Sequence, residues 1–436
     1  MRSIDDGQAR DSNAPPPWYT APGSTGEPGP GVAQVVLTAV LVAIAFCAGW
    51  FGNAFVNRAN TATGDQRLII QAWNDIDQNF VVTGAIDHKK MAYSAIQAMV
   101  DSLGDTGHSR FETPEQLKAE QNQLNNTPTV GIGVYLSGGG SQPLRVDAII
   151  PDSPASHTSL RPGDLIVGVD GASIKGKTFD EVHNLIAGKE GTKVTLTIIR
   201  PSVSPTATSD VVITRGKFVS PTVSSFMIPG ENIDDIVLYQ FAQDAESEMA
   251  KAIKSAQNAH VKGIILDLRG NPGGLLDQAV AVTSEFVPSG KTVLIEKSRT
   301  GSQKATSTCG CQADQTPLVI LVDNNTASAA EITAGSIAIN RPGVHVVGQT
   351  TFGTGTILTE YVLSDGSALW LGASEWLLPN GQSVYHKGYT PDQQVTLPQN
   401  VVPLSPLVAQ QENYTQQQVL NSGDSQLLQA INDLNG

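Results

Sequence analysis

Thr326-Ala-Ser-Ala-Ala-Glu331 places one serine, Ser328, among small residues, just after an apolar run, Pro317-Leu-Val-Ile-Leu-Val-Asp323, and the turn Asn324-Asn325. Such a run reads as a buried strand, and the small residues after the turn read as a helix start with Thr326 at its N-cap. Ser328 then falls in the first helical turn. Unpaired N–H groups and the positive end of the helix dipole favour a developing negative charge there. The chemistry this suits is attack of a serine hydroxyl on a carbonyl. The same residues also suit a small-residue helix packed closely on a sheet, so the reading turns on what else the chain brings to the site.

Two kinds of partner would complete it. The turn Arg269-Gly-Asn-Pro-Gly-Gly274 follows the apolar run Gly263 to Leu268 and precedes a helical pattern from Leu275. That position suits an oxyanion hole or an anion cradle. It has neither a phosphate-loop lysine nor dinucleotide spacing, and it also suits a purely structural turn. A serine further needs a base. His108 lies in the loop Leu103-Gly-Asp-Thr-Gly-His-Ser-Arg-Phe111, and His386 lies just before Gly388-Tyr-Thr-Pro-Asp392. A histidine with a pKa near 6.5 takes a serine proton at neutral pH. Glu375, in Ala373-Ser-Glu-Trp376, or Asp105 would orient it or balance its charge, and spacing does not choose between them. The seven histidines are scattered and form no ligand cluster, so no metal and no organic cofactor is expected.

The elements that must position these residues make a multidomain α+β chain of 436 residues. Residues 1–30, with Pro15-Pro-Pro17 and Pro28-Gly-Pro30, read as a disordered tail. Residues 31–53 hold the uncharged run Val32 to Phe51, long enough to cross a bilayer. A cleaved signal peptide would have a shorter apolar core and a short basic leader, so a single-pass N-terminal transmembrane anchor through 32–51 and a cell-membrane location are expected. Arg2 and Arg10 against Arg58 and Arg67 leave its orientation open. Residues 66–128 are helical in pattern, with Leu68, Ile69, Ala72, Trp73 and Ile76 at helix spacing. Residues 129–217 are β-rich and barrel-like, residues 218–400 alternate strand and helix as an α/β core, and residues 401–436 form a helical tail. A net charge of -14 argues against a nucleic-acid partner, which would need a basic face. Cys47 lies inside the apolar run, and Cys309-Gly-Cys311 offers too few thiols for structural zinc.

Residues 130–217 resemble a PDZ domain, on Gly131-Ile-Gly-Val134 as the peptide-carboxylate loop and on Ser153-Pro-Ala155 with Leu160-Arg-Pro-Gly-Asp-Leu-Ile166. The N–H groups of such a loop hold a terminal carboxylate while the next strand pairs with the peptide. From about Gln66 to the C-terminus the chain resembles the C-terminal processing (tail-specific) family of serine peptidases. The motifs are Gly104-Asp105 with His108-Ser109, the PDZ set, Asp267-Leu-Arg-Gly-Asn-Pro-Gly-Gly274, Thr326-Ala-Ser-Ala-Ala-Glu331, Thr351-Phe-Gly353 and Gly388-Tyr-Thr-Pro-Asp392. The resemblance implies an extracytoplasmic endopeptidase acting on proteins or peptides with free C-termini, which the PDZ domain reads. It puts Ser328 at the nucleophile and assigns the oxyanion to the N–H of Ala329 and one from Gly273-Gly274. A homo-oligomer is compatible with it.

The sequence departs from the family where the base should be. The family pattern is Thr-Phe-Gly-Lys-Gly, then Val-Gln, with lysine as the base and glutamine orienting it. Here Thr354 stands at the lysine position and Leu358 at the glutamine position. Threonine is no base near neutral pH, and leucine forms no hydrogen bond. The tricorn-type branch of these proteases resembles this chain at His108, with a Ser-His base in the helical part and no core lysine. A histidine base predicts a pH–rate profile rising through a pKa near 6 to 7, whereas a lysine from elsewhere, such as Lys387, predicts an alkaline shift. The alternative from another class is an inactive pseudoprotease that binds protein C-termini as a scaffold or adaptor.

Overall fold

The computed structural model describes residues 64–436, apart from Thr106, Gly107, Ser141, Ser202, Pro205, Cys309, Gly310, Asp314 and Asn400. The expected tail at 1–30, the run 32–51 with Cys47, and Cys309 lie outside the described residues. The expected transmembrane helix is corrected: among the described residues no helix is long and apolar enough to cross a membrane. Helix Gly64–Asn79 has 16 residues, about 24 Å at 1.5 Å per residue, short of a hydrocarbon core of about 30 Å. The cell-membrane location, which rested on an anchor through 32–51, is corrected with it.

The chain divides into two compact units, one ending at His88 and one running from Lys89 to Gly436. In the first, Gly64–Asn79 follows the helical spacing of Leu68, Trp73 and Ile76 and buries none of its residues. Trp73 stacks on His88, with ring centroids 5.7 Å apart.

The second unit is built around a sheet in the order Val223–Ile228, Ile233–Leu238, Gly263–Asp267, Leu318–Val322, His345–Gly348, Gln393–Gln394. The first pair is antiparallel and the later pairs are parallel. Its central strands carry largely apolar runs because both faces are covered. Ile236, Leu238, Ile264, Leu266, Ile320 and Val322 pack under helices Ala245–Asn258, Leu276–Phe286 and Ala329–Asn340. The alternate residues Ile233, Ile265, Val319 and Leu321 pack on the other face against Leu427, Ala430 and Ile431 of helix Ser425–Asn435. A second sheet joins strands Arg110–Glu112, Ala368–Leu377, Thr292–Ser298 and Gly301–Thr306, with Thr356–Val362 also paired to Ala368–Leu377. Residues Val134 to Thr214 fold around a core of their own, including Val146, Leu196 and Ile213. Their sheet runs Val134–Gly139, Gln142–Ile149, Leu165–Val169, Lys193–Ile199, Thr208–Thr214, with helix Phe179–Ile186. Strands Thr129–Gly131 and Gly216–Phe218 pair where the chain enters and leaves this part.

The C-terminal helices are tied to the loop after Asp267 by a buried ion-pair network. Arg269 Nη1 donates to both Asp424 carboxylate oxygens at 2.9 Å, and Arg269 Nη2 donates to Asp267 Oδ2 at 2.6 Å. Asp424 also accepts from Leu404 N at 2.9 Å and caps its own helix through Leu427 N at 3.0 Å. Asp235, fully buried on the neighbouring strand, has an Oδ1 with no partner among the described residues. Burial first, and then the charge of Asp267, hold its carboxyl well above the usual carboxylate range, with Arg269 opposing.

Two outcomes follow from this network. Asp424→Ala leaves Arg269 half-paired in a dry interior, and chemical denaturation is expected to show a loss of about 3–5 kcal/mol. Asp235 binds its proton more tightly folded than unfolded, so the protein loses stability as pH climbs from the unfolded carboxylate pKa, about 4, toward the folded one. Asp235→Asn removes that loss, and its thermal midpoint is expected to rise relative to the parent at pH 8 but not at pH 4.

Candidate active site

Three strand ends meet at Ser328. Helix Ala329–Asn340 begins one residue after it, and Ser328 has φ 53° and ψ -119°. Left-handed backbone at a non-glycine residue is strained and has to be held by its surroundings. Ser328, not Thr326 as the sequence suggests, is therefore the residue at the helix cap. The Thr326 hydroxyl is used elsewhere: it donates to Leu268 O at 2.8 Å and accepts from Asp323 N at 2.9 Å, tying two strand ends together.

What holds Ser328 is Glu331, whose carboxylate is fully buried. It accepts from Ser328 N, Gly353 N and Thr354 N, each at 2.9 Å, from Thr354 Oγ1 at 2.8 Å, and from the Thr351 hydroxyl. Thr354, where the sequence resemblance leads one to expect the lysine, is buried with its hydroxyl turned to the serine's backbone, and accepts from Ser328 N at 2.5 Å. It is a structural hydroxyl at this point and supplies no base. Among the described residues, sequence reasoning passed over Glu331 because a carboxylate three residues into a helix looks like an ordinary cap.

The glycine turn lies directly against the serine. A Cβ on Gly273 would come within 2.7 Å of Ser328 Cβ and 3.0 Å of Ala329 N. Asn271, fully buried, sets the turn: its Nδ2 donates to Leu238 O at 2.7 Å, and its Oδ1 accepts from Gly273 N at 2.8 Å. The N–H of Gly273 is thus engaged. Gly274, bridged to Phe241, is left as the glycine whose N–H can serve beside Ala329.

Ser328, Ala329, Gly273, Gly274 and His108 line one cavity of about 590 Å³, with Leu358, Trp370 and Trp376 among its apolar walls. No lysine is among the described residues that line it. His108 Nδ1 is 2.6 Å from Thr356 Oγ1. Burial pushes the His108 imidazole below its ordinary pKa; Asp105 pulls the other way and Arg110 adds to the lowering. Asp105 holds the histidine loop rather than the ring: it accepts from Ser109 Oγ at 2.5 Å, Ser109 N at 3.1 Å and Tyr385 Oη at 3.0 Å. Arg110 Nε donates to Glu112 at 2.7 Å and Nη2 to Glu120 at 2.5 Å, below the ring of Trp370.

Other sequence candidates lie apart from this group. Glu375 accepts from Ser383 Oγ at 2.8 Å and pairs with Lys297 at 3.9 Å, and it does not line the cavity. His386 and Lys387 are exposed. Where the chain enters the Val134-to-Thr214 part, Gly131 ends one strand and Val134 begins the next. Between them Ile132 O accepts from Ala155 N at 2.8 Å, and Gly133 O from Ile150 N and Ser153 Oγ, both at 3.0 Å. Gly133 has φ 77°, and a Cβ there would lie 2.1 Å from Ser153 Cβ.

Residues 233–395 match Peptidase family S41 and residues 145–200 match the PDZ domain. The carboxy-terminal processing protease CtpA of Bacillus subtilis (strain 168) is 33% identical over 84% of this chain and 77% of its own length. A CtpA-like serine protease of Staphylococcus aureus (strain COL) is 33% identical over 85% of this chain and 73% of its own. A solved structure named for an S41 protease of Bacteroides fragilis NCTC 9343 shares the fold, with a TM-score of 0.57 at 17% identity over 83% of this chain and 96% of that one. The chain therefore belongs to the carboxy-terminal processing group of peptidase family S41 and is a serine-type peptidase with a PDZ domain.

Proposed function

We propose that this peptidase cleaves by acyl-enzyme chemistry at Ser328, with His108 rather than a lysine as base. The observation that carries the reading is the shared cavity: the serine, the two glycines, Ala329 and one histidine line it, and no lysine does among the described residues. In the proposed reaction His108 Nε2 takes the Ser328 proton as Oγ bonds to the scissile carbonyl carbon. The resulting oxyanion accepts from Ala329 N–H and Gly274 N–H, which are fixed before substrate arrives. Collapse breaks the C–N bond while His108 returns the proton to the leaving amine. Water, deprotonated by the same nitrogen, then releases the acyl group and restores Ser328. Asp105, held beside the histidine, supplies the balancing charge in place of Glu375.

The substrates in this reading are proteins or peptides with a free C-terminus. The inward-turned carbonyls of Ile132 and Gly133 leave the N–H side of the Gly131–Val134 loop for a terminal carboxylate. Strand Val134–Gly139 ends the sheet order, so an extended peptide can add along it.

Four measurements test the reading. A fluorophosphonate probe is expected to label the protein and to leave Ser328→Ala unlabelled; persistent labelling of that variant excludes Ser328. His108→Ala is expected to lower kcat/KM at least about 1000-fold, and full activity there excludes the histidine. A base must be deprotonated, so the rate falls as pH drops through its pKa. Since burial lowers His108, the acid limb is expected below the ordinary value of about 6.5; a limb well above 7 points to a lysine instead. Glu331→Gln puts an amide donor among five donors. It is expected to cost about 2–3 kcal/mol of stability and, by letting Ser328 shift, about 100-fold in kcat.

A further inference from the structure

Thr356 opens strand Thr356–Val362, two residues after the threonine that occupies the lysine position. Its Oγ1 lies 2.6 Å from His108 Nδ1, across 248 residues of chain. Resting on the reading of His108 as base, we propose that Thr356 is the positioning residue for this histidine. Its hydroxyl accepts Nδ1–H, which fixes the ring's orientation and leaves the Nε2 lone pair for Ser328.

The chemistry of the two groups selects this direction. If the hydroxyl instead donated to Nδ1, the neutral ring would carry its proton on Nε2, and Nε2 could not take the serine's. Once the ring has taken that proton, both nitrogens are donors, so the group facing Nδ1 must accept. A hydroxyl does so without moving a heavy atom. The carboxylates that would ordinarily do this task are committed elsewhere. Asp105 uses Oδ1 on Tyr385 and Oδ2 on Ser109, and Glu375 is paired with Ser383 and Lys297.

Thr356 is also fixed well enough to orient something else. Its β-branched side chain is stiff at χ1, and it packs over Gly372 on the neighbouring strand. A Cβ at Gly372 would fall 2.9 Å from Thr356 Cβ and 3.1 Å from Asp105 Oδ2. The glycine thus gives both Thr356 and Asp105 their places under the histidine loop. Ser109 Oγ accepts from Gly372 N at 3.0 Å and fastens that loop to the same strand.

The test is the histidine's own tautomer, read in the full-length protein labelled with 15N-histidine. The His108 signals are assigned by their absence in His108→Ala. Above the ring's pKa the parent is expected to show Nδ1 protonated and Nε2 bare; the reverse pattern overturns the inference with no threonine variant needed. Thr356→Val is expected to mix the tautomers and to lower kcat on a quenched fluorogenic peptide about 10–100-fold with KM unchanged, while Thr356→Ser restores both. Thr356→Val with parental tautomer and kcat, beside an inactive His108→Ala, overturns this inference alone. A fully active His108→Ala overturns the base reading and this inference with it.

Discussion

A fully buried carboxylate organises the serine and the loop beside it. Glu331 is a charge removed from water with no cation among its hydrogen-bond partners, and such a charge survives only where donors replace its hydration. Five donors do so, from the serine's own N–H and from Thr351, Gly353 and Thr354. Because these come from two separate segments, satisfying the carboxylate and assembling the site are the same event. The left-handed backbone at Ser328 is tolerable for that reason: in that conformation its N–H reaches both Glu331 and Thr354. Strain at one residue is offset by a network that has nowhere else to go.

That arrangement also bears on where a base can come from. Thr354 is consumed in holding the serine, and Leu358 shows the cavity only hydrocarbon. Proton-accepting side chains must reach the cavity from another part of the fold. The strand Arg110–Glu112, paired with Ala368–Leu377, does this. It pins the end of the helical segment to the second sheet and brings His108 to the cavity wall. The polar wall around it is braced, with Arg110 shared by Glu112 and Glu120, and Trp370 Nε1 donating to Glu112 at 3.1 Å.

What could be read in the sequence divides along physical lines. Runs such as Leu318–Val322 and residues 263–266 are apolar because helices cover both faces, so their burial is written in composition. The closeness of the serine and the glycine turn, which line one cavity, was legible because each needs particular residue types at short spacing. The rest depends on pairs far apart in the chain. Arg110–Glu112 is only three residues long, too short for alternation to reveal it, and its register comes only from its partner. Thr356 is an ordinary strand residue until His108 lies beside it. Glu375 looked as suitable as Asp105 because spacing cannot say which carboxylate is already paired. The transmembrane helix was inferred from hydropathy alone, and the described helices offer none of the needed length.

The lowered pKa of His108 adds one more constraint to the proposed chemistry. At pH 7 a histidine with a pKa of about 6.5 is already roughly three-quarters neutral. Lowering the pKa therefore gains little more of the competent form, and it weakens the base that must take the serine proton. Burial at this position would be a net cost if the histidine were the only thing it affected. His108 shares its cavity, however, with Ala329 and Gly274, the proposed donors to the oxyanion. In a less polar medium their N–H groups act on a developing oxyanion far more strongly than they would in water. With no lysine among the described residues that line the cavity, the proposed reaction meets that charge with those two dipoles and the protonated His108, so a weaker base is offset only as far as water is kept from them.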